Sequence, residues 1–350
     1  MNQIFLPDFY SSYLALLSTS YPDRISVILI ATLFSLFLGL FFGRSERYAI
    51  PFTWKIVHRL FNNFASKADK MGRSTSSLIF RGTFITIMLL TGAAVASFCA
   101  YWLVHHFPLY RGLDILLVIG CISTGQIIHM LGRVHSLLSA KGRGRHDEAL
   151  TYNMLAKSSR SDLNVADNHM VAREASAFAT LQFERAYIGP TLFYLLFGFT
   201  GLFVATAVSS GMWLFGREGQ GKGFQMAIST LQRILGLLTA PLTLMCYLGC
   251  SLIVPAASLT RAFSSVFIWS DKPPYLSGGK ALQILSHSLS IAFGGAKKDP
   301  TGRILKREWV GPKGVSAKMN VDELKRVQYW IFASILVYLA LLFANLVFLA

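Results

Sequence analysis

The side chains best placed to do chemistry in this sequence stand at one junction, residues 173–190, REASAFATLQFERAYIGP, which leads into the apolar run TLFYLLFGFTGLFVATAV. A helix made in water there hands over to a helix made in lipid, and polar working groups are well served by such a boundary. The junction offers Glu174 and Glu184 as acids, with Arg185 where a carboxylate would be expected. Just upstream, Asp162 and Asp167 are weighed between two roles. One is helix N-capping, the commoner use of Asp before an apolar-periodic run; the other is catalysis. Further on, the SGGK at 277–280 puts Lys280 after two glycines but lacks the glycine spacing and terminal Ser or Thr of a phosphate loop.

Other polar groups carry less. His129 lies near the end of an apolar run with Gln126 one turn before it, and a satisfied or snorkelling histidine is the better reading for it than a ligand contact. The four cysteines, Cys99, Cys121, Cys246 and Cys250, all fall in apolar segments and read as small buried hydrophobes. Cys246 and Cys250 share a helical face, but no His or acid joins them at ligand spacing, so no metal site is expected.

These groups must be positioned by elements made mostly in lipid. The chain has 350 residues, 53% of them hydrophobic and only 14% charged, against about 25% charged in a soluble domain. Its mean hydropathy is +0.49. Six apolar runs, 25–42, 84–104, 113–131, 190–207, 235–257 and 330–349, are each long enough to cross a hydrocarbon core of about 30 Å. The expected fold is therefore all-α and polytopic: six spans in a single membrane domain, with helical cytoplasmic segments.

The net charge of +16 is placed as a topology signal. Segments 44–81, 132–188 and 261–326 hold 28 of the 33 Lys and Arg residues. Basic loops resist translocation, so these three should face the cytoplasm and both termini should face outward. That distribution argues against a nucleic-acid partner. The start MNQIFLPDFYSSY has no basic region or small-residue cleavage site, so the first span is expected to be retained. Residues 51–70, PFTWKIVHRLFNNFASKADK, set Phe52, Ile56, Leu60 and Phe64 at four-residue spacing among basic residues, which reads as an interfacial helix on the cytoplasmic leaflet with membrane lipid as its partner, a partner-binding helix being the alternative. Arg233 should sit at the outer interface, because an arginine at the bilayer centre is costly. Pro241 and Pro255 predict a kinked or interrupted fifth span.

In their order, several of these pieces resemble the CobD/CbiB family, membrane-bound adenosylcobinamide-phosphate synthases of cobalamin biosynthesis. The likeness runs from about residue 25 onward: the early spans, Arg81–Gly82 opening the second, the basic stretch after the third, and the junction itself. Asp162, Asp167 and Arg173 stand at positions compatible with the family's motifs, and the distance from Arg173 to Pro190 matches without a gap. Downstream, Gly294, Gly295, Gly302 and the turn from Trp309 to Gly311 resemble the family's late Gly-Gly, Gly, Trp-(Ile/Val)-Gly pattern. At the same spacing the family's two glutamates fall on Ala177 and Leu181, its asparagine on Gln182 and its aspartate on Arg185.

The resemblance implies an ATP-dependent amide-forming reaction, joining aminopropanol phosphate to a corrinoid carboxylate in the bacterial inner membrane, with ATP and Mg²⁺ if the synthase chemistry is kept. On that reading Asp162, Asp167 and Glu184 are the catalytic candidates, as Mg²⁺ ligands or base, while Arg173 and Lys280 are candidates for binding a phosphate. The loss of acids is shared with AmpE, a membrane protein associated with β-lactamase induction, whose looser pattern is similar to LQFERAYIGPTLF. That likeness implies a non-catalytic sensor or scaffold instead. A transporter has little support, since no span carries an acid well inside the membrane and no inverted repeat is evident.

Overall fold

A computed structural model describes residues 21–43, 48–70, 73–107, 110–139, 145–164, 166–216, 223–268, 279–299, 302, 304–305 and 307–349. The chain is an all-α, multi-pass membrane protein. Its helices are α1 (Tyr21–Phe42), α2 (Phe52–Ala68), α3 (Thr75–His106), α4 (Tyr110–Cys121), α5 (Thr124–Ser139), α6 (Arg145–Ser159) and α7 (Asn168–Phe183). A π-helical turn, Glu184–Ile188, then leads into α8 (Gly189–Phe215), α9 (Met226–Ile253), α10 (Leu259–Val266) and α11 (Gly279–Leu289). After a two-stranded antiparallel hairpin, β1 (Lys297–Lys298) with β2 (Ile304–Leu305), comes α12 (Val321–Leu349).

Five elements are long and apolar enough to cross a membrane: Tyr21–Phe41, Thr75–Val104, Asn168–Phe215, Met226–Ile253 and Val321–Phe348. A sixth forms if α4 and α5, bent by 41° across a short break, are taken together. That break falls inside the run expected as the third span, 113–131. Beyond it, Thr124 Oγ1 donates to Ser35 Oγ at 2.9 Å, and the bare backbones of Gly39 and Gly125 meet where α1 crosses α5. A side chain on either glycine would forbid this approach.

The fourth apolar run departs most from expectation. Read as one span over 190–207, it folds back on itself at Gly198, whose φ of 61° and ψ of −145° are all but closed to other residues. Gly201 then lies against the Phe193 carbonyl oxygen, too close for any side chain. The contacts trace both limbs. On the way in, Tyr247 OH donates to the Thr180 carbonyl, Thr191 bonds Tyr338, and Arg24 Nη1 donates to the Leu195 carbonyl at 3.0 Å. On the way back, Thr200 bonds Ser97, Gly211 meets Leu89, and Trp213 Nε1 donates to the Ser158 carbonyl at 2.7 Å. Trp213 thus ends beside Trp54 and Ser158, on the side where the junction began.

α9 is tied to its neighbours at both ends. Phe224, just before it, packs on Phe215 and against Gly82; Ser258, just after it, accepts and donates to Ser288 of α11. The helix runs unbroken through Pro241 and stops at Ile253, two residues before Pro255, where the chain ahead of a proline leaves the helical region. Arg233, expected at the outer interface, is exposed about two turns into this helix.

Caps fix the helix starts at this end. Asp167 Oδ1 accepts from Met170 N at the head of α7, Ser258 Oγ accepts from Arg261 N at α10, and Glu323 reaches back to Asn320 N ahead of α12.

Candidate functional site

Glu174, one of the junction acids, is buried on the first turns of α7. Its Oε1 accepts from Lys297 Nζ at 2.7 Å and from Ser161 Oγ at 2.9 Å, and its Oε2 accepts from Arg307 Nη2 at 2.9 Å. Both basic partners are buried as well. Lys297 Nζ also donates to the Ser159 carbonyl at 2.8 Å, while Ser159 Oγ donates to Ser161 Oγ. Carrying charges to this depth is costly, so each is held by several partners at once.

β1 supplies Lys297 and the chain just past β2 supplies Arg307, and the late glycine–tryptophan segment holds the hairpin in place. Phe293 and Val310 pair across its base, and Gly294 and Gly295 lie against Glu308 and the Trp309 ring at positive φ. Arg307 Nε donates to the Gly295 carbonyl.

The cluster forms one wall of a cavity of about 460 Å³, a volume suited to a small ligand. Five basic side chains line it, Lys157, Arg160, Arg185, Lys297 and Arg307, against three acidic ones, Asp69, Glu174 and Asp299. Aromatic groups from α2 and α8 complete it. Trp54 and His58 lie 5.9 and 5.7 Å from the Trp213 ring, and Tyr48 lies 6.3 Å from His58. Arg160 spreads over Trp213 at 5.4 Å, aimed there by a left-handed backbone, φ 53°, uncommon for a residue with a side chain. Burial depresses the Arg160 pKa, partly opposed by Asp299 and Tyr48. Burial, and then the Arg160 charge, also lowers that of His58.

Two residues that line the cavity each carry a buried polar atom with no hydrogen-bond partner among the described residues: Trp54 Nε1 and Gln182 Oε1. Leaving such groups unmet costs about 1–3 kcal/mol each.

The π-helical turn separates two neighbouring charges. Arg185 lines the cavity, whereas Glu184 Oε1, outside its lining, accepts from Thr239 Oγ1 of α9 at 3.0 Å. An inserted residue of this kind re-aims the side chains that follow it.

The other candidates read from sequence stand elsewhere. Asp162 is partly exposed; it accepts from Asn164 N and pairs with Lys298 at 3.5 Å. Asp167 caps α7. Arg173 bonds the Ala317 carbonyl and lies over the Trp309 ring at 5.5 Å. Lys280 donates to the carbonyls of Val266 and Ile268 at the end of α10. None of these, nor Glu184, is among the residues lining the cavity. Among those that line it and were not singled out as candidates are Lys297, Arg307, Arg160 and His58.

The residues present do not fit the Mg²⁺ that the synthase resemblance implies. Glu174 already shares its oxygens among two cations and a hydroxyl, and among the described residues no three His, Cys, Asp or Glu side chains gather to hold a metal ion. The arrangement can instead hold an anion: guanidinium and ammonium groups are the majority of the charged side chains lining the cavity. Comparison with family models, curated proteins and solved structures finds no match, so the site is read from its own chemistry.

Proposed function

We propose that this protein is a membrane-embedded receptor for a small anionic ligand, a phosphate ester or similar oxyanion, built on a CobD/CbiB-like frame and working in the non-catalytic, AmpE-like manner. The observation that carries this reading is the cavity's makeup: a Glu174 fully engaged by Lys297 and Arg307, and a basic majority among the charged side chains that line it. Such groups bind and orient an oxyanion. Glu174 is taken up by its cations, and among the described residues no three His, Cys, Asp or Glu side chains gather to carry the metal that amide formation would need.

The synthase reading, with corrinoid and aminopropanol phosphate as substrates, makes the opposite prediction in one experiment. In a bacterium lacking its adenosylcobinamide-phosphate synthase, this chain should fail to restore cobalamin-dependent growth, while the purified protein binds inorganic phosphate saturably. Restored growth would reject the receptor reading in favour of the synthase.

A further inference from the structure

Helix α2 presents two opposed faces. Trp54, His58, Asn62, Ser66 and Asp69, at its end, line the cavity. Phe52, Ile56, Leu60 and Phe64 form a second row, each 44–63% exposed. The rows are offset by two residues, about 200° of turn at 3.6 residues per turn, so one points into the cavity as the other points away from the protein. Lys55, Arg59 and Lys67 flank the outer row, and the helix holds no acid. Its position is fixed by its neighbours: α1 before it and α3 after it are both long and apolar enough to span a membrane, which leaves α2 at the bilayer surface.

We propose that α2 seats its Phe52–Phe64 row at the acyl–headgroup boundary of an anionic leaflet, and that this seat holds one wall of the ligand cavity. Four large apolar side chains in a basic surround match that surface in both hydrophobicity and charge. The inner face is gripped by Trp213. The helix is thus clamped between lipid and the returning limb of α8. The proposal goes beyond the receptor reading by naming what holds the wall, and its readouts need no ligand.

The test places a fluorophore on α2 of the full chain in lipid nanodiscs, at Leu60→Cys or at Asn62→Cys. Both are made in a Cys99→Ser background, because Cys99 is exposed while the other cysteines are buried. In discs containing phosphatidylglycerol and a lipid with a nitroxide high on its acyl chain, the label at 60 should be strongly quenched and the label at 62 little affected. Replacing phosphatidylglycerol by phosphatidylcholine should weaken the quenching at 60. A Leu60→Ser/Phe64→Ser variant should exchange its α2 amides faster, whereas Leu60→Met/Phe64→Leu should not. Equal quenching at both positions, or an unquenched label at 60 because a protein partner or nothing covers the row, would overturn the proposal. So would unchanged α2 exchange in the serine variant.

Discussion

Glu174 Oε1 and Lys297 Nζ lie 2.7 Å apart across 123 residues of chain, and with Arg307 they lock helix α7 to the β-hairpin in a buried ion cluster. Glu174→Gln keeps the shape but leaves two buried cations facing a neutral amide. Loss of one partner from a buried pair costs about 3–5 kcal/mol. The variant should therefore melt well below the parent in a thermal scan of the detergent-solubilised protein, and Glu174→Ala should melt at least as low. A melting point within experimental error of the parent would show that the cluster does not hold the hairpin.

His58 gives the site a pH dependence. Burial and Arg160 lower its pKa, so it is neutral at pH 7 and binds a proton less readily than in the unfolded chain. Its stability contribution is therefore present above the ordinary value of about 6.5 and is lost as pH falls below it. Protonation also adds a positive charge to the cavity. Sulfate, whose charge is constant over this range, should bind more tightly as pH drops from 7 to 5. His58→Gln should flatten that rise, as measured by calorimetric titration.

Gly198 makes the returning limb possible. Alanine there would be forced into backbone space that side chains avoid, at a cost of about 1–3 kcal/mol, and Gly201→Ala would press on the Phe193 carbonyl. Both variants should lower the melting temperature, and the double variant should lower the yield of folded protein in size-exclusion chromatography. Ala205→Gly, buried farther along the same limb, provides a comparison that changes backbone freedom without opposing the turn.

Asp167 and Lys280 should report stability alone. Asp167→Ala removes a helix cap worth about 1 kcal/mol, and Lys280→Ala removes the donor to the carbonyls ending α10. Each should shift the melting curve modestly and leave phosphate affinity unchanged. A loss of binding in either would return that residue to the site.

Much of this was legible in the sequence. The all-α membrane fold follows from run length and low charge, Asp167's capping role from its place before α7, and the outer apolar row of α2 from its spacing. The hairpin at Gly198 was not, because an apolar run records lipid contact but not direction, and a single glycine with φ 61° can reverse it. The Glu174 cluster was hidden for another reason. Its partners come from 123 and 133 residues away, and the sequence KKDPTGR marks a turn without naming what the flanking cations face. The position of Arg185 depended on the extra residue of the π-helical turn, which periodicity counted at 3.6 residues per turn does not reveal.

The central claim is that the cavity binds an oxyanion through its basic lining. The most direct measurement is calorimetric titration of the purified protein with inorganic phosphate, beside Arg185→Met and Arg160→Met variants that keep the parent's melting temperature. The account predicts saturable one-site binding in the parent, weakened by at least about tenfold in each variant, as loss of one charge-assisted contact of about 1.5–3 kcal/mol implies. No saturable binding, or equal binding by the parent and both variants, would contradict it.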